Sequence, residues 1–243
     1  MVRTPRHQAP PAELVRNQVR WTRRWQEIRA GRKKGEWATE TAKKVLRPAL
    51  ERLAHGKCVY CESLLGVTAP LEIEHHVAKT LKPSLAFEWS NLFPACAKCN
   101  RAKAGVDHDR ALLKPDAEDP EPYFWFHAGT GELQPHPQLD EAGRQRALRT
   151  IEVCDLRRGP LCTKRLDTWQ RVGDWLRQAG AQAADAEQER LLNPRREYKL
   201  VVRQAFERSG RSALAVEDRR RFEAPPHTTS SFTGSQRTLR SRR

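Results

Sequence analysis

An α+β fold, with a small zinc-anchored core set between N- and C-terminal helical regions, is what the sequence predicts. Three observations carry that expectation. Two Cys-x-x-Cys pairs, "CVYC" at Cys58 to Cys61 and "CAKC" at Cys96 to Cys99, stand either side of a short stretch, "LEIEHHVAK" (residues 71–79). The apolar alternation of that stretch reads as a strand. On both flanks, apolar residues recur at three- or four-residue steps, the mark of amphipathic helices.

Taken in order, residues 1–10 contain Pro and Arg and read as extended, after which Pro10 and Pro11 start a helix running to about Ala30. Leu14, Trp21, Trp25 and Ile28 share one face of it, and Arg16, Arg20, Arg23 and Arg24 lie mostly opposite. Such a helix docks through its tryptophans and leaves a solvated basic face, whose other use would be as a phosphate-contacting arm. "GRKKGE" (31–36) breaks the pattern, and a second helical stretch ends at "LERLAHGKC", where Gly56 suits a left-handed C-cap leading into Cys58. Residues 1–56 are thus an N-terminal basic helical region, and 57–108 the compact chemical core. Residues 109–139 read as a connector rich in Pro and Gly, with a short aromatic run, "YFWF", that suits a strand or plug, and a turn at "GTGE". From 140 to 222 the pattern is helical, with Leu148 and Ile151, then Leu166, Trp169, Val172 and Leu176 in register. Cys154 and Cys162 fall here without Cys-x-x-Cys partners and read as buried structural thiols. Residues 223–243 read as a disordered basic tail, since no acidic residue occurs from Ala224 to Arg243.

The chain has 243 residues, 38% of them hydrophobic, and carries a formal net charge of +15. A modest core and a surface that attracts polyanions follow, nucleic acid foremost. No apolar run is long enough to span a bilayer, and the first residues lack the apolar core of a secretory signal, so a cytoplasmic location is expected. In a reducing cytosol, paired cysteines favour metal over disulfides.

Two residues between the cysteines of a pair let both sulfurs reach one tetrahedral ion, so Cys58, Cys61, Cys96 and Cys99 are expected to bind a structural Zn2+. The gap between the pairs, residues 62–95, holds 34 residues. A plain zinc ribbon spaces its knuckles by roughly 15–20, so a larger insert must leave the ion and return to it. That return brings the insert's polar groups close to "NRAKAG" after Cys99, where Asn100 and Lys103 sit one helical turn apart. Glu74 and His75 would then face Asn100. A carboxylate and an amide oxygen suit a hard divalent ion such as Mg2+ or Mn2+, and the neighbouring imidazole exchanges a proton near neutral pH. Together they suit phosphodiester hydrolysis, with His75 as general base on water and nearby Lys or Arg on the phosphate.

The joint pattern "CVYCE … IEHHVAK … FEWSNLFPACAKCNRAKAG", about 50 residues, resembles the HNH endonuclease motif of the ββα-metal fold. The resemblance implies His75 as general base, Glu74 as metal ligand, Asn91 as the brace of the loop that holds the base, and Asn100 as the residue completing the metal site. Two registers stay open, Glu74 as ligand with His75 as base, or His75 as ligand with His76 as base. The first is preferred, because "IEH" followed by Lys79 is the form associated with this Cys-x-x-Cys branch. Strand alternation alone sends residues 74 and 76 to one face and 75 to the other, and a bulge or strand end would override it. Lys79, Arg101 and Lys103 are candidate phosphate contacts, Lys103 foremost. Phe87 and Trp89 read as core, and Asn91 by itself as a turn residue.

More loosely, "RTPRHQAPPAELVRNQVRW", "LRPALERLAHGKCVYCE" and "TGELQP … RALRTIEVCDLRRGPLCTKRLDTW" are similar to the PtuB nuclease subunits of Septu-type anti-phage systems, a family also found beside some retrons. That similarity implies a DNA-cutting role in antiviral defence and an ABC/SMC-like ATPase partner (PtuA-like) docked on the helical half after residue 140. Two other readings use the same cysteines and charge: a catalytically silent zinc module that binds nucleic acid, and a protein-interaction scaffold.

Overall fold

The structure is a computed structural model that describes residues 1–6, 8–66, 70–104, 112–178, 188 and 190–210. The expected basic tail, 223–243, lies outside the described residues. Helix α1 (Ala12–Arg29) begins directly after Pro11 and buries Leu14, Trp21 and Trp25. Helix α2 (Glu40–Leu53) is started by Thr39, whose side chain accepts a hydrogen bond from the amide of Ala42. It ends in a left-handed turn at His55 and Gly56, with φ of 54° and 75°, and the Gly56 amide donates back to the Glu51 carbonyl at 2.8 Å. That turn sends the chain straight into the first cysteine pair.

Strands β1 (Glu72–His75) and β2 (Leu92–Ala95) pair antiparallel, Glu74 opposite Phe93 and His75 opposite Leu92. Helix α3 (Ala97–Lys103) follows β2 at once, so the central unit is two strands and a short helix. The stretch "YFWF … GTGE" folds as a second hairpin, β3 (Phe124–Phe126) with β4 (Leu133–Pro135), and Phe124 and Phe126 are fully buried. Gly131 makes its turn at φ 75°, and a Cβ there would stand 2.3 Å from the carbonyl oxygen of Cys162. Helices α4 (Glu141–Val153), α5 (Gly159–Gln178) and α6 (Lys199–Arg208) follow among the described residues. Asp140 caps α4 through the Gly143 amide at 2.7 Å. Gln204 of α6 takes the place of a neighbouring strand for β3: its oxygen accepts from the Phe126 amide at 2.9 Å and its nitrogen donates to the Phe124 carbonyl at 3.0 Å.

The β1–β2 hairpin is packed on both faces. One apolar cluster joins the tryptophans of α1, the apolar face of α2, Ala86, Phe87, Trp89 and Leu92. Another joins the cysteine pairs, Tyr60, Phe93, the β3–β4 hairpin and α4. Val172, Leu176, Val202 and Phe206 form a smaller cluster between α5 and α6. Among the described residues no helix is long and apolar enough to cross a membrane.

Candidate active site

The four paired cysteines are buried, and none is in a disulfide. Their sulfurs lie within 4.8 Å of one another, with Cys61 Sγ 3.8 Å from Cys96 Sγ. A tetrahedral ion with sulfur bonds of about 2.3 Å needs edges of about 3.8 Å, so the donor set and its spacing fit zinc. The first pair sits in a tight knuckle in which the Cys58 amide donates to the Ser63 carbonyl and the Glu62 amide to the Cys58 carbonyl. The second pair opens α3, whose N-cap is Cys96. Arg158 places its guanidinium 3.5 Å from Cys99 Sγ and 4.0 Å from Cys96 Sγ. A cation there would offset the negative charge of four thiolates around one divalent ion. Nothing in the sequence marks this residue, which lies 59 positions from Cys99.

Strand alternation holds through β1 and sorts the acidic and basic groups. Glu72 and Glu74 face α3: the Asn100 amide nitrogen donates to Glu72 Oε2 at 2.7 Å, and Lys103 Nζ lies 2.7 Å from Glu74 Oε1. The sequence sets Asn100 opposite Glu74, but its side chain meets Glu72, two residues earlier on the same face. Tyr60 donates its hydroxyl to the other Glu74 oxygen at 2.9 Å. Glu74 is 1% exposed, and burial raises its pKa despite Lys103, which opposes the shift. Lys103, read from the sequence as a phosphate contact, has its ammonium buried. Besides Glu74 it donates to the carbonyls of His75 at 2.9 Å and His76 at 2.7 Å. Three oxygens thus converge on one cation and fix the end of β1.

His75 points to the opposite face, toward α1 and α2, and so does not face Asn100 as the sequence led one to expect, because adjacent strand residues alternate in direction. Its Nε2 lies 3.0 Å from the Ala86 carbonyl. A carbonyl only accepts, so in the neutral ring Nε2 carries the proton and Nδ1 keeps the lone pair. Burial, with Lys79 adding to it, lowers the imidazole pKa to about 3, so the ring is neutral at physiological pH. Trp37 meets it edge-on, ring centroids 4.6 Å apart. His76, on the Glu74 face, is buried with its ring against Phe93 at 6.1 Å.

Asn91 clamps the chain just past the histidines. Its oxygen accepts from the Val77 amide at 2.7 Å, while its nitrogen donates to the carbonyls of Val77 at 3.0 Å and Leu85 at 3.1 Å. The His76 amide also donates to the Asn91 carbonyl. Of the candidate phosphate contacts, Lys79 is half-buried with its ammonium 5.4 Å above the Trp37 ring, and Arg101 is exposed on α3. Glu72, Tyr60 and Trp37 escape a reading of the sequence. Glu72 alone carries a signal there, being in phase with Glu74 on the strand.

Comparison with known proteins places names beside this geometry. The model of the HNH endonuclease family matches residues 58–105. A relative called Septu protein PtuB, from Bacillus thuringiensis, is 34% identical over 80 residues, which cover 32% of this chain and 31% of that protein. Another Septu protein PtuB, from Bacillus mycoides (strain KBAB4), is 29% identical over 147 residues, 48% of each chain. The matches therefore span less than half the length of these curated relatives. The hairpin, the helix and the cysteine cluster all fall in the family match, so residues 58–105 are similar to the HNH endonuclease family, within a sequence similar in part to proteins named Septu protein PtuB.

Proposed function

We propose that the protein is a metal-dependent endonuclease that hydrolyses phosphodiester bonds in nucleic acid, DNA foremost, with His75 as its general base. One observation carries this reading: a neutral imidazole, fixed by the Ala86 carbonyl with Nδ1 left to accept, stands next in sequence to a carboxylate on a clamped strand end. Nδ1 takes the proton of a water molecule as its oxygen attacks phosphorus, and the phosphorus–oxygen bond to the leaving 3′ oxygen breaks. Glu74 and Asn100, with Glu72 beside them, offer the hard oxygen donors that suit Mg2+ or Mn2+. Lys103 and Tyr60 already hold both Glu74 oxygens and Asn100 meets Glu72, so Glu74 would take up an ion in exchange for Lys103, and the ion would supply charge stabilisation to a phosphate at the strand end. Lys79 and Arg101 are assigned to substrate phosphate. Asn91 holds the loop after the base, and Lys103 holds the base's own carbonyl. Zn2+ on Cys58, Cys61, Cys96 and Cys99 has a structural part, tying β2 and α3 to the knuckle before β1.

The names of the relatives support a place in anti-phage defence, and with it a partner ATPase subunit docked on the helical half. Incubation of the purified chain with supercoiled plasmid and Mg2+ or Mn2+ tests the chemistry. Nicking that EDTA stops is expected. Retained binding without nicking, in either ion, would instead make the protein a silent nucleic-acid-binding module.

A further inference from the structure

The residues around His75 differ in how firmly they are held. Ala86, Phe87 and Leu92 belong to the core and are at most 1% exposed. Trp37 is half-buried, and it does not sit in a helix or strand. It lies in the segment that joins α1 to α2, directly after "GRKKGE", and its ring touches both His75 and Phe87, the latter at 5.1 Å. Two glycines in that segment, Gly31 at φ 73° and Gly35 at φ 131°, adopt backbone that side chains rarely allow. A Cβ on Gly35 would stand 2.8 Å from the Arg24 guanidinium. The segment is therefore shaped by its glycines and is held at its two ends: the Arg32 and Lys33 amides donate to the Glu27 carbonyl at 2.9 and 3.3 Å, Arg24 donates to the Glu36 carbonyl at 2.8 Å, and Lys43 pairs with the Glu36 carboxylate.

Between these glycines the chain presents Arg32, Lys33 and Lys34, all exposed, shortly after the exposed Arg29. Lys33 pairs with Glu27 at 2.6 Å on the surface, an interaction that water and salt weaken. Lys79 extends the positive charge across the Trp37 ring to the site itself. The basic tip lies in the same interhelical segment as Trp37, whose ring meets the imidazole and carries Lys79 against it. The histidine retains only 6% of its surface in this state. That remnant is narrow for a phosphodiester, and the half-buried Trp37 is the group beside the ring that lies outside the core, so a shift of its ring widens the approach to His75.

We infer that nucleic acid docks its phosphate backbone on the segment from Arg29 to Lys34, and that docking draws Trp37 off His75. The inference rests on the nuclease reading for its purpose, but its test needs no cleavage. Binding of a short fluorescein-labelled DNA duplex to the full chain is followed by anisotropy across a salt titration, with no divalent ion added. Arg32→Ala/Lys33→Ala/Lys34→Ala should weaken binding at least about tenfold and lower the slope of log affinity against log salt by roughly 2 to 3, about 0.9 for each phosphate that is no longer neutralised. Zinc content and melting should stay as in the wild type. Arg16→Ala/Arg20→Ala/Arg23→Ala removes equal charge from the exposed face of α1 and should cost distinctly less. Equal losses in the two triple variants, or no binding by the wild type, would overturn the inference. Duplex should also change the tryptophan emission of the wild type but not of Trp37→Phe; the same change in Trp37→Phe would contradict the lifting of the ring. A wild type that binds with these slopes yet never nicks plasmid defeats the nuclease reading alone, whereas one that nicks while the loop triple keeps its slope defeats this inference alone.

Discussion

Lys103 shows how one side chain can serve two neighbours of a reactive group. Its ammonium is 5% exposed and bound by the Glu74 carboxylate and two backbone carbonyls, so removing it strands a buried charge. Lys103→Met is expected to cost about 3–5 kcal/mol of stability, the usual penalty for breaking a buried pair from one side. Adding Glu74→Gln should recover a large part of that loss, and denaturant melts of the two single variants and the double variant give the coupling. Full additivity would deny the pair. His75 makes a second prediction through its depressed pKa. The unfolded chain binds a proton at about pH 6.5 that the folded chain refuses until about pH 3, so stability contributed by the buried neutral ring is complete above 6.5 and falls as the pH drops. Between pH 7 and 5 the wild type should lose about 2 kcal/mol more than His75→Asn at equal zinc loading. Parallel pH profiles would mean that the ring is not held neutral by burial.

At the scale of elements, the turn of the β3–β4 hairpin is a test of close packing against backbone freedom. Gly131 and Gly66 both have positive φ, 75° and 82°, but only at Gly131 would a Cβ meet the Cys162 carbonyl and the Leu166 side chain; nothing lies within 4 Å at Gly66. Gly66→Ala should cost about 1 kcal/mol of conformational strain, and Gly131→Ala clearly more, because backbone of α5 must shift. Similar losses for both, in thermal melts, would show that α5 gives way freely. The elements differ also in how far the sequence disclosed them. Helix α1 was legible because Pro11 marks its start and Leu14, Trp21 and Trp25 recur on one face. The meeting of the four sulfurs was legible because paired Cys-x-x-Cys spacing has few other uses in so basic a chain. Strand alternation separates Glu74 from His75, and no bulge intervenes in β1 to undo it. Hidden from the sequence were the pairing of Asn100 with Glu72, the three-oxygen cage of Lys103, the Trp37 contact and the guanidinium of Arg158 beside the thiols. Each depends on groups brought together from positions 27 to 62 residues apart, or more broadly on how α1 and α2 drape over the hairpin. No local periodicity encodes such meetings.

Across the whole molecule, the β1–β2 hairpin lies between the helical cluster of the N-terminal part and the cluster built on the cysteine pairs, β3–β4 and α4. This placement explains why His75 and Glu74, adjacent in sequence, have such different surroundings: one ring among tryptophan and phenylalanine, one carboxylate among a tyrosine, a lysine and the metal-binding knuckles. It also keeps both groups poorly hydrated, which holds the imidazole neutral and leaves the carboxylate dependent on a cation. A net charge of +15 favours polyanions at the surface, and in the proposed function it is the clamped strand end that would give an encounter with nucleic acid a chemical consequence. The most direct measurement is the plasmid nicking rate of His75→Ala, made at wild-type zinc content and with an unchanged melting profile. A fall of about 100-fold or more is predicted, the range that a general base contributes. Nicking at the wild-type rate by a folded, zinc-loaded His75→Ala protein would contradict the account.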